Sequence, residues 1–224
     1  FLRAYALTYI KEEIQEEQLI RKLDPFRQFL EVAAQTSGKI VNYSKIAEDV
    51  GVATQTVISY FSILEETMIG LTLSPYHRSV RKRQRNSPKF YLLDTGVKRA
   101  LDRTLSIDMN ERTYAFGDAF EHFVILEIVK NASYDFPDWQ FSYLNTGTNR
   151  EIDLIIDRPG QKTALIEIKS TETILKRHAK TLNSLGKDIP NSSSYCVSRD
   201  RNKKQIGSVH CLHWKDIYQE LAST

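Results

Sequence analysis

Apolar residues recur every three to four positions in the first third of the chain and form short strand-length blocks later on. Leu2, Tyr5, Ala6, Tyr9, Ile10 and Ile14 have helical spacing, with charged positions between them, so residues 1–23 read as a connecting helix. Asp24-Pro25 has the chemistry of a helix start, Phe26, Phe29, Leu30, Val32 and Ala33 supply the apolar face, and Gly38 ends the element. Asn42 is placed to cap a short helix through Val50, and Gly51 makes the turn into a third helix over about 53–67. Strand-like runs follow at 68–73 and 90–93, then a short helix over 93–103. A polar stretch, 104–112, is the expected domain boundary. Beyond it the pattern predicts a strongly apolar helix (117–129), a strand at 139–144, two short strands within 151–170 joined by a turn at 158–160, a helix (172–185), strands at 194–198 and 208–210, and a closing helix from Trp214. Helices followed by mixed helices and strands give an α/β chain (α+β overall) in two domains, 24–103 and 104–224.

The hairpin over Glu151–Ser170 breaks its own apolar pattern. A carboxylate (Asp153) interrupts the first strand and a Glu-x-Lys pair (Glu167, Lys169) the second, with the turn at Arg158-Pro159-Gly160. Symmetric closure pairs Asp157 with Thr163 and sets Asp153 opposite Glu167, with Cβ atoms about 4.5–5.5 Å apart. Like charges at that distance destabilise a sheet, so the pair asks for a counter-charge: the Lys169 ammonium, a divalent metal, or both. Glu121 adds a third acid, within the apolar helix among residues expected to be buried.

Upstream, two short helices joined by Gly51 have the shape and spacing of a helix-turn-helix (Ala47, Gly51, Val57). Thr54, Gln55, Thr56 and Ser59 fall where such a helix faces a DNA major groove. The two strand runs flank a basic connection holding Arg78, Arg81, Lys82, Arg83, Arg85 and Lys89, with no acid between Ser74 and Lys89. A winged helix with a basic wing is the expected form, and guanidinium and ammonium groups there suit phosphate contacts. The competing reading is a packing unit with a solvated charged loop.

Composition narrows the classes. Over 224 residues the net charge is only +3, so any nucleic-acid argument rests on where the cations cluster. Two cysteines, Cys196 and Cys211, make no disulfide framework and no zinc spacing, and a reducing cytoplasmic setting is the default. No apolar run approaches the roughly 18 residues of a membrane span. His122, His178, His210 and His213 show no metal-ligand spacing.

Taken together, Glu121, Asp153 and Glu167-x-Lys169 resemble the PD-(D/E)xK, restriction-endonuclease-like superfamily. The resemblance implies Mg²⁺ or Mn²⁺ held by Glu121, Asp153 and Glu167, with Lys169 assisting a water in phosphodiester hydrolysis. Gly117-x-x-Phe120-Glu121, Glu151-Ile-Asp153 and Ile166-Glu-Ile-Lys-Ser170 look like the C-terminal region of bacterial and archaeal AAA-type ATPases, as do Tyr9-Ile-Lys-Glu-Glu-Ile14 and Lys89-Phe-Tyr-Leu-Leu-Asp-Thr-Gly96. In that family a P-loop ATPase precedes a winged helix and a nuclease-like domain. No G-x-x-x-x-G-K-[ST] occurs here, so P-loop ATP binding is expected only in an ATPase portion before Phe1. The expected partners are DNA and that ATPase domain, with no membrane, and self-association stays open. Two rivals remain: a non-catalytic interaction or regulatory module of the ATPase, and a stand-alone winged-helix transcription factor.

Overall fold

The computed structural model describes residues 2–5, 23–77, 87–146 and 150–223. The chain is an α+β protein that divides into two compact units, Phe1–Leu73 with Ser87–Asp108, and Ser74–Asn86 with Met109–Thr224. The break after Asp108 falls inside the polar stretch expected to separate domains. The other break differs from expectation: the chain from Ser74 groups with the second unit, because Ser74 and Pro75 pair with Ser142 and Tyr143 there.

In the first unit, α1 (Leu23–Thr36), α2 (Tyr43–Val50) and α3 (Thr54–Glu66) precede the antiparallel strands β1 (Gly70–Pro75) and β2 (Lys89–Leu92), and α4 (Thr95–Leu101) closes it. This is the helix–helix–helix–hairpin order expected of a winged helix. Asn42 Oδ1 accepts from the Lys45 N–H (3.1 Å), and Gly51 takes the left-handed φ of 73° that the turn into α3 requires. Phe26, Phe29, Phe61, Leu64 and Phe90 are buried, and the four phenylalanine rings meet edge-on or tilted at centroid distances of 4.8–5.7 Å. Of the lead-in, only Leu2–Ala4 is described as helical; the rest of the expected connecting helix lies outside the described residues.

The second unit opens with α5 (Tyr114–Asp135), 22 residues against the thirteen expected. Thr113 Oγ1 accepts from the Phe116 N–H and starts the helix three residues before its apolar stripe begins. The antiparallel meander β3 (Gln140–Asn145), β4 (Glu151–Asp157) and β5 (Thr163–Lys169) follows. A 3₁₀ turn (Lys176–Ala179) and α6 (Lys180–Leu185) lead to β6 (Ser192–Ser198), parallel to β5. Then β7 (Lys204–Ile206) and β8 (Val209–His213) form a hairpin, β8 lies parallel to β6, and α7 (Ile217–Ala222) ends the unit. The strands of this unit lie in the order β3-β4-β5-β6-β8-β7; the helix, the meander and the later helix and strands follow the sequence reading, and the parallel pairing of β5, β6 and β8 is new.

Two expectations need correction. The helix expected over 172–185 begins only at the 3₁₀ turn. Side chains hold the backbone upstream in other bonds: the Thr173 N–H donates to Thr171 Oγ1, and the Ile174 N–H to Asp200 Oδ2 (2.9 Å). Between β6 and β8 the sequence reading has no strand, but β7 occupies 204–206 and turns at Gly207 (φ 65°). Three residues alternating across an exposed edge leave too short a pattern to detect.

The apolar blocks of β4 and β5 reflect burial on both faces: Ile152, Leu154, Ile155, Ile156, Ala164, Leu165 and Ile166 are all inaccessible to solvent. At the hairpin turn, Arg158 donates through Nε and Nη2 to the Lys162 carbonyl and through Nη1 to the Leu221 carbonyl (2.8 Å), with Trp139 beneath it. This buried guanidinium clamps the turn to the last helix.

Candidate functional site

β4 and β5 pair as Leu154↔Ile166, Ile155↔Leu165 and Ile156↔Ala164, and Thr163 Oγ1 donates to Asp157 Oδ1 (3.1 Å). Continued by one residue, that register sets Asp153 opposite Glu167. Both carboxylates are buried, at 6% and 7% exposure, where an unpaired charge is strongly disfavoured. Asp153 Oδ2 accepts from the Ile168 N–H (2.7 Å), and Lys169 Nζ lies 2.5 Å from Glu167 Oε1. Glu167 Oε2 is buried and accepts no hydrogen bond. Beside the acids, Ile155, Leu165, Cys196 and Cys211 pack with Leu182 and Leu185 of α6, so one end of the site is closed by apolar side chains.

Burial, then the Asp153 charge, pushes the Glu167 carboxyl up to about 8, against the opposing pull of Lys169. For Lys169, burial alone would lower its pKa, but Asp153, Glu167 and Glu121 outweigh it and the net shift is upward. The two directions pull apart, since a protonated Glu167 would hold Lys169 less strongly. The 2.5 Å contact decides for a charged Lys169, while burial and the Asp153 charge still hold the Glu167 carboxyl above its ordinary value.

Glu121 lies half-buried on α5, on the helix face of Ile125 and Ile128, and acts electrostatically on Lys169. An open cleft of about 650 Å³ separates the first turns of α5 from the end of β5, lined by Thr113, Gly117, Glu121, Lys169 and Ser170. The fold thus brings Glu121, Lys169 and the Asp153–Glu167 hairpin to one place. His178 lies near enough to Lys169 to feel its charge. Its Nδ1 accepts from the Leu175 N–H (3.2 Å), and burial, then Arg177, Lys169 and Lys204, holds its pKa below the ordinary value.

The hard oxygens of Asp153 and Glu167, one of them without a hydrogen bond, suit Mg²⁺, which is usually held by one or two carboxylates plus water and phosphate oxygens. Among the described residues no three His, Cys, Asp or Glu side chains converge closely enough to cage an ion. Two carboxylates alone would leave most positions of such a cation to water or substrate oxygens.

In the first unit Thr54, Gln55 and Ser59 are exposed and Thr56 half-exposed, so the start of α3 presents the expected polar face. Arg78, Arg81, Lys82, Arg83 and Arg85 lie outside the described residues. Lys89 differs from expectation. It stands within β2 at 5% exposure rather than on the wing surface, because strand alternation there is overridden by burial of all four positions. Cys196 and Cys211 are free, buried and paired across β6 and β8, and burial first, then Cys211 and Glu167, pushes the Cys196 thiol up to about 12. These are inert core thiols. Among the described residues no helix is long and apolar enough to cross a membrane.

Sequence reasoning missed the row of groups after the parallel strands. Arg199 pairs with Glu111 and Glu172 and stacks on Phe116, and Arg201, Trp214 and Lys215 line a second cleft. Their only signal in the sequence is a polar turn after an apolar strand, Ser198-Arg-Asp-Arg-Asn202.

Comparison with known proteins follows the same division. Residues 1–110 match a domain of unknown function (DUF8612), and residues 116–217 match another (DUF4143). No solved structure matches the chain. The uncharacterized proteins Mb2031c of Mycobacterium bovis and Rv2008c of Mycobacterium tuberculosis are each 28% identical over 172 residues, 75% of this chain. That stretch covers 37% of each relative, so the chain is similar to a minor part of two longer mycobacterial proteins.

Proposed function

We propose that the second unit is a divalent-metal-dependent phosphodiester hydrolase and that the first unit holds DNA. One observation carries the first half: two buried carboxylates set opposite one another, with an ammonium on one oxygen and another oxygen left without a hydrogen bond. A bound Mg²⁺ would polarise the phosphodiester and lower the pKa of a coordinated water. Asp153 and Glu167 would hold it. Lys169 would orient the attacking water and offset charge on the phosphoryl oxygens, and Glu121 would keep Lys169 in place. The sequence resemblance supports an AAA-type ATPase in the same polypeptide, and the greater length of the mycobacterial relatives is compatible with it.

The test is titration of the chain with Mg²⁺ or Mn²⁺ while following melting temperature and cleavage of labelled DNA and RNA. At a hundred times its dissociation constant the ion should add about 2.7 kcal/mol of stability. No thermal shift and no cleavage of any nucleic acid would sink the reading. The rival, a non-catalytic module, is favoured by the Lys169–Glu167 contact, which would then be the site's permanent counter-charge.

The wing has its own test. If Arg81, Lys82 and Arg83 contact phosphates, replacing all three should flatten the log–log salt dependence of duplex binding by about 2.7, at roughly 0.9 per neutralised phosphate. An unchanged slope removes the wing from the interface.

A further inference from the structure

Three parallel strands of the second unit end level with one another. Lys169 of β5 registers with Ser198 of β6, and Ser198 with His213 of β8. The segments leaving them are tied side by side: the Arg199 N–H donates to the Thr171 carbonyl (3.0 Å) and the Trp214 N–H to the Ser198 carbonyl (2.8 Å). The result is a ledge along the carboxyl ends of the strands, where open α/β sheets bind ligands. Lys169 and His213 stand two strand spacings apart, roughly 10 Å.

A cleft lies on each side of Arg199. The first holds Lys169 and Glu121 and ends at Thr171. The second, about 530 Å³, begins at Glu172 and Arg199 and continues along Arg201, His213, Trp214 and Lys215. The two clefts differ in charge. Arg199 is neutralised by Glu111 and Glu172, whereas Arg201 and Lys215 have no ion-pair partner among the described residues, and Asp216 is the remaining acid of that lining. Beyond the carboxylates of the first cleft, the ledge therefore presents two cations that no acid among the described residues neutralises, Lys215 lying against the Trp214 ring.

Aromatic rings stand at both ends. Tyr114, in the lining of the first cleft, is 95% exposed, a position where a ring has no packing role. In the second cleft Trp214 is held edge-on by Phe120 and Phe123, with the Lys215 ammonium 5.4 Å from its ring centre. Cations alternating with ring faces match a polymer with anionic links and flat bases. Only unpaired bases can reach such rings, since duplex bases already stack on one another.

We propose that this ledge is a binding track for an unpaired nucleic-acid strand, with Arg201 and Lys215 on its phosphates and Tyr114 and Trp214 on its bases. The inference deepens the hydrolase reading by naming the strand state of its substrate, and it rests on that reading only for the chemistry in the first cleft.

Binding of the whole chain to a fluorescent oligothymidylate, and to a blunt duplex of equal length, is measured in EDTA so that no cleavage intervenes. Duplex binding, which the first unit is proposed to supply, serves as the reference that changes in the ledge should leave unchanged. Arg201→Ala with Lys215→Ala should weaken single-strand binding about tenfold and reduce its salt slope by about 1.4, at roughly 0.7 per phosphate of a single strand. Tyr114→Ala should cost about tenfold with the slope unchanged, as stacking on one base predicts. All three positions are exposed or line an open cleft, so the variants keep the fold, which circular dichroism checks. Full single-strand affinity and slope in both variants, or an equal loss for the duplex, overturns the proposal. Because no metal is present, loss of the hydrolase reading leaves this result standing, and the reverse holds as well.

Discussion

Asp153→Asn is expected to lower metal-dependent cleavage by about 10²–10³-fold while leaving the melting temperature unchanged or raised. The substitution keeps the shape of the side chain and an oxygen able to accept from the Ile168 N–H, so the hairpin keeps its register. It removes one charge from the pair that would hold the cation, and loss of a single preorganised electrostatic group costs a rate factor of that size. It also removes the like charge facing Glu167, whose carboxyl should fall from about 8 toward its ordinary value. Activity and stability thus move in opposite directions, which a merely structural Asp153 would not produce. Single-turnover cleavage and thermal denaturation of the same preparation check both. A parallel loss of the two would assign Asp153 to the fold alone.

Lys169→Met should destabilise the chain by about 1–3 kcal/mol at pH 8.5, below the figure for breaking a fully buried pair because the lysine side chain is 36% exposed. The loss should shrink toward pH 5. Glu167 titrates near its ordinary value when unfolded and near 8 in the fold, so between these values the folded state binds more protons. Stability contributed by that group is full below the unfolded pKa, declines as pH rises through the window and levels off above about 8. Lys169 limits the decline by its charge. Its own pKa is raised, so its contribution is lost only at higher pH, outside the window. Methionine leaves both acids without the ammonium wherever they are ionised. Chemical denaturation at pH 5, 7 and 8.5 measures the trend, and a loss independent of pH would mean that only packing was removed.

The hairpin was legible because two short apolar runs flank a turn marked by Gly160; the two acids that interrupt those runs, Asp153 and Glu167, then stood out as charges the fold must accommodate. The two short helices around Gly51 were legible from Asn42, which caps the first, and Gly51, which makes the turn between them. Side-chain competition with the backbone was not. Nothing in 172–185 reveals that Asp200, 26 residues from Ile174, takes the amide a helix would have used. Glu121 could be named as a site acid, but whether it ligates directly or acts through Lys169 depends on how α5 docks at β5's end. The ledge was invisible in principle, since its members come from the ends of three separate strands and meet only through parallel pairing.

Arg158 gives the hairpin a tolerance limit that can be stated in insertions and deletions. Five residues, 158–162, connect β4 to β5, and the guanidinium spans them to reach the Lys162 and Leu221 carbonyls. A change in loop length that slid the pairing by one position would turn Asp153 to the opposite face from Glu167 and bring two aliphatic side chains into the site. The clamp therefore restricts length polymorphism at a turn remote from the carboxylates, and chains that keep the acid pair should keep this spacing even where the loop's own residues vary.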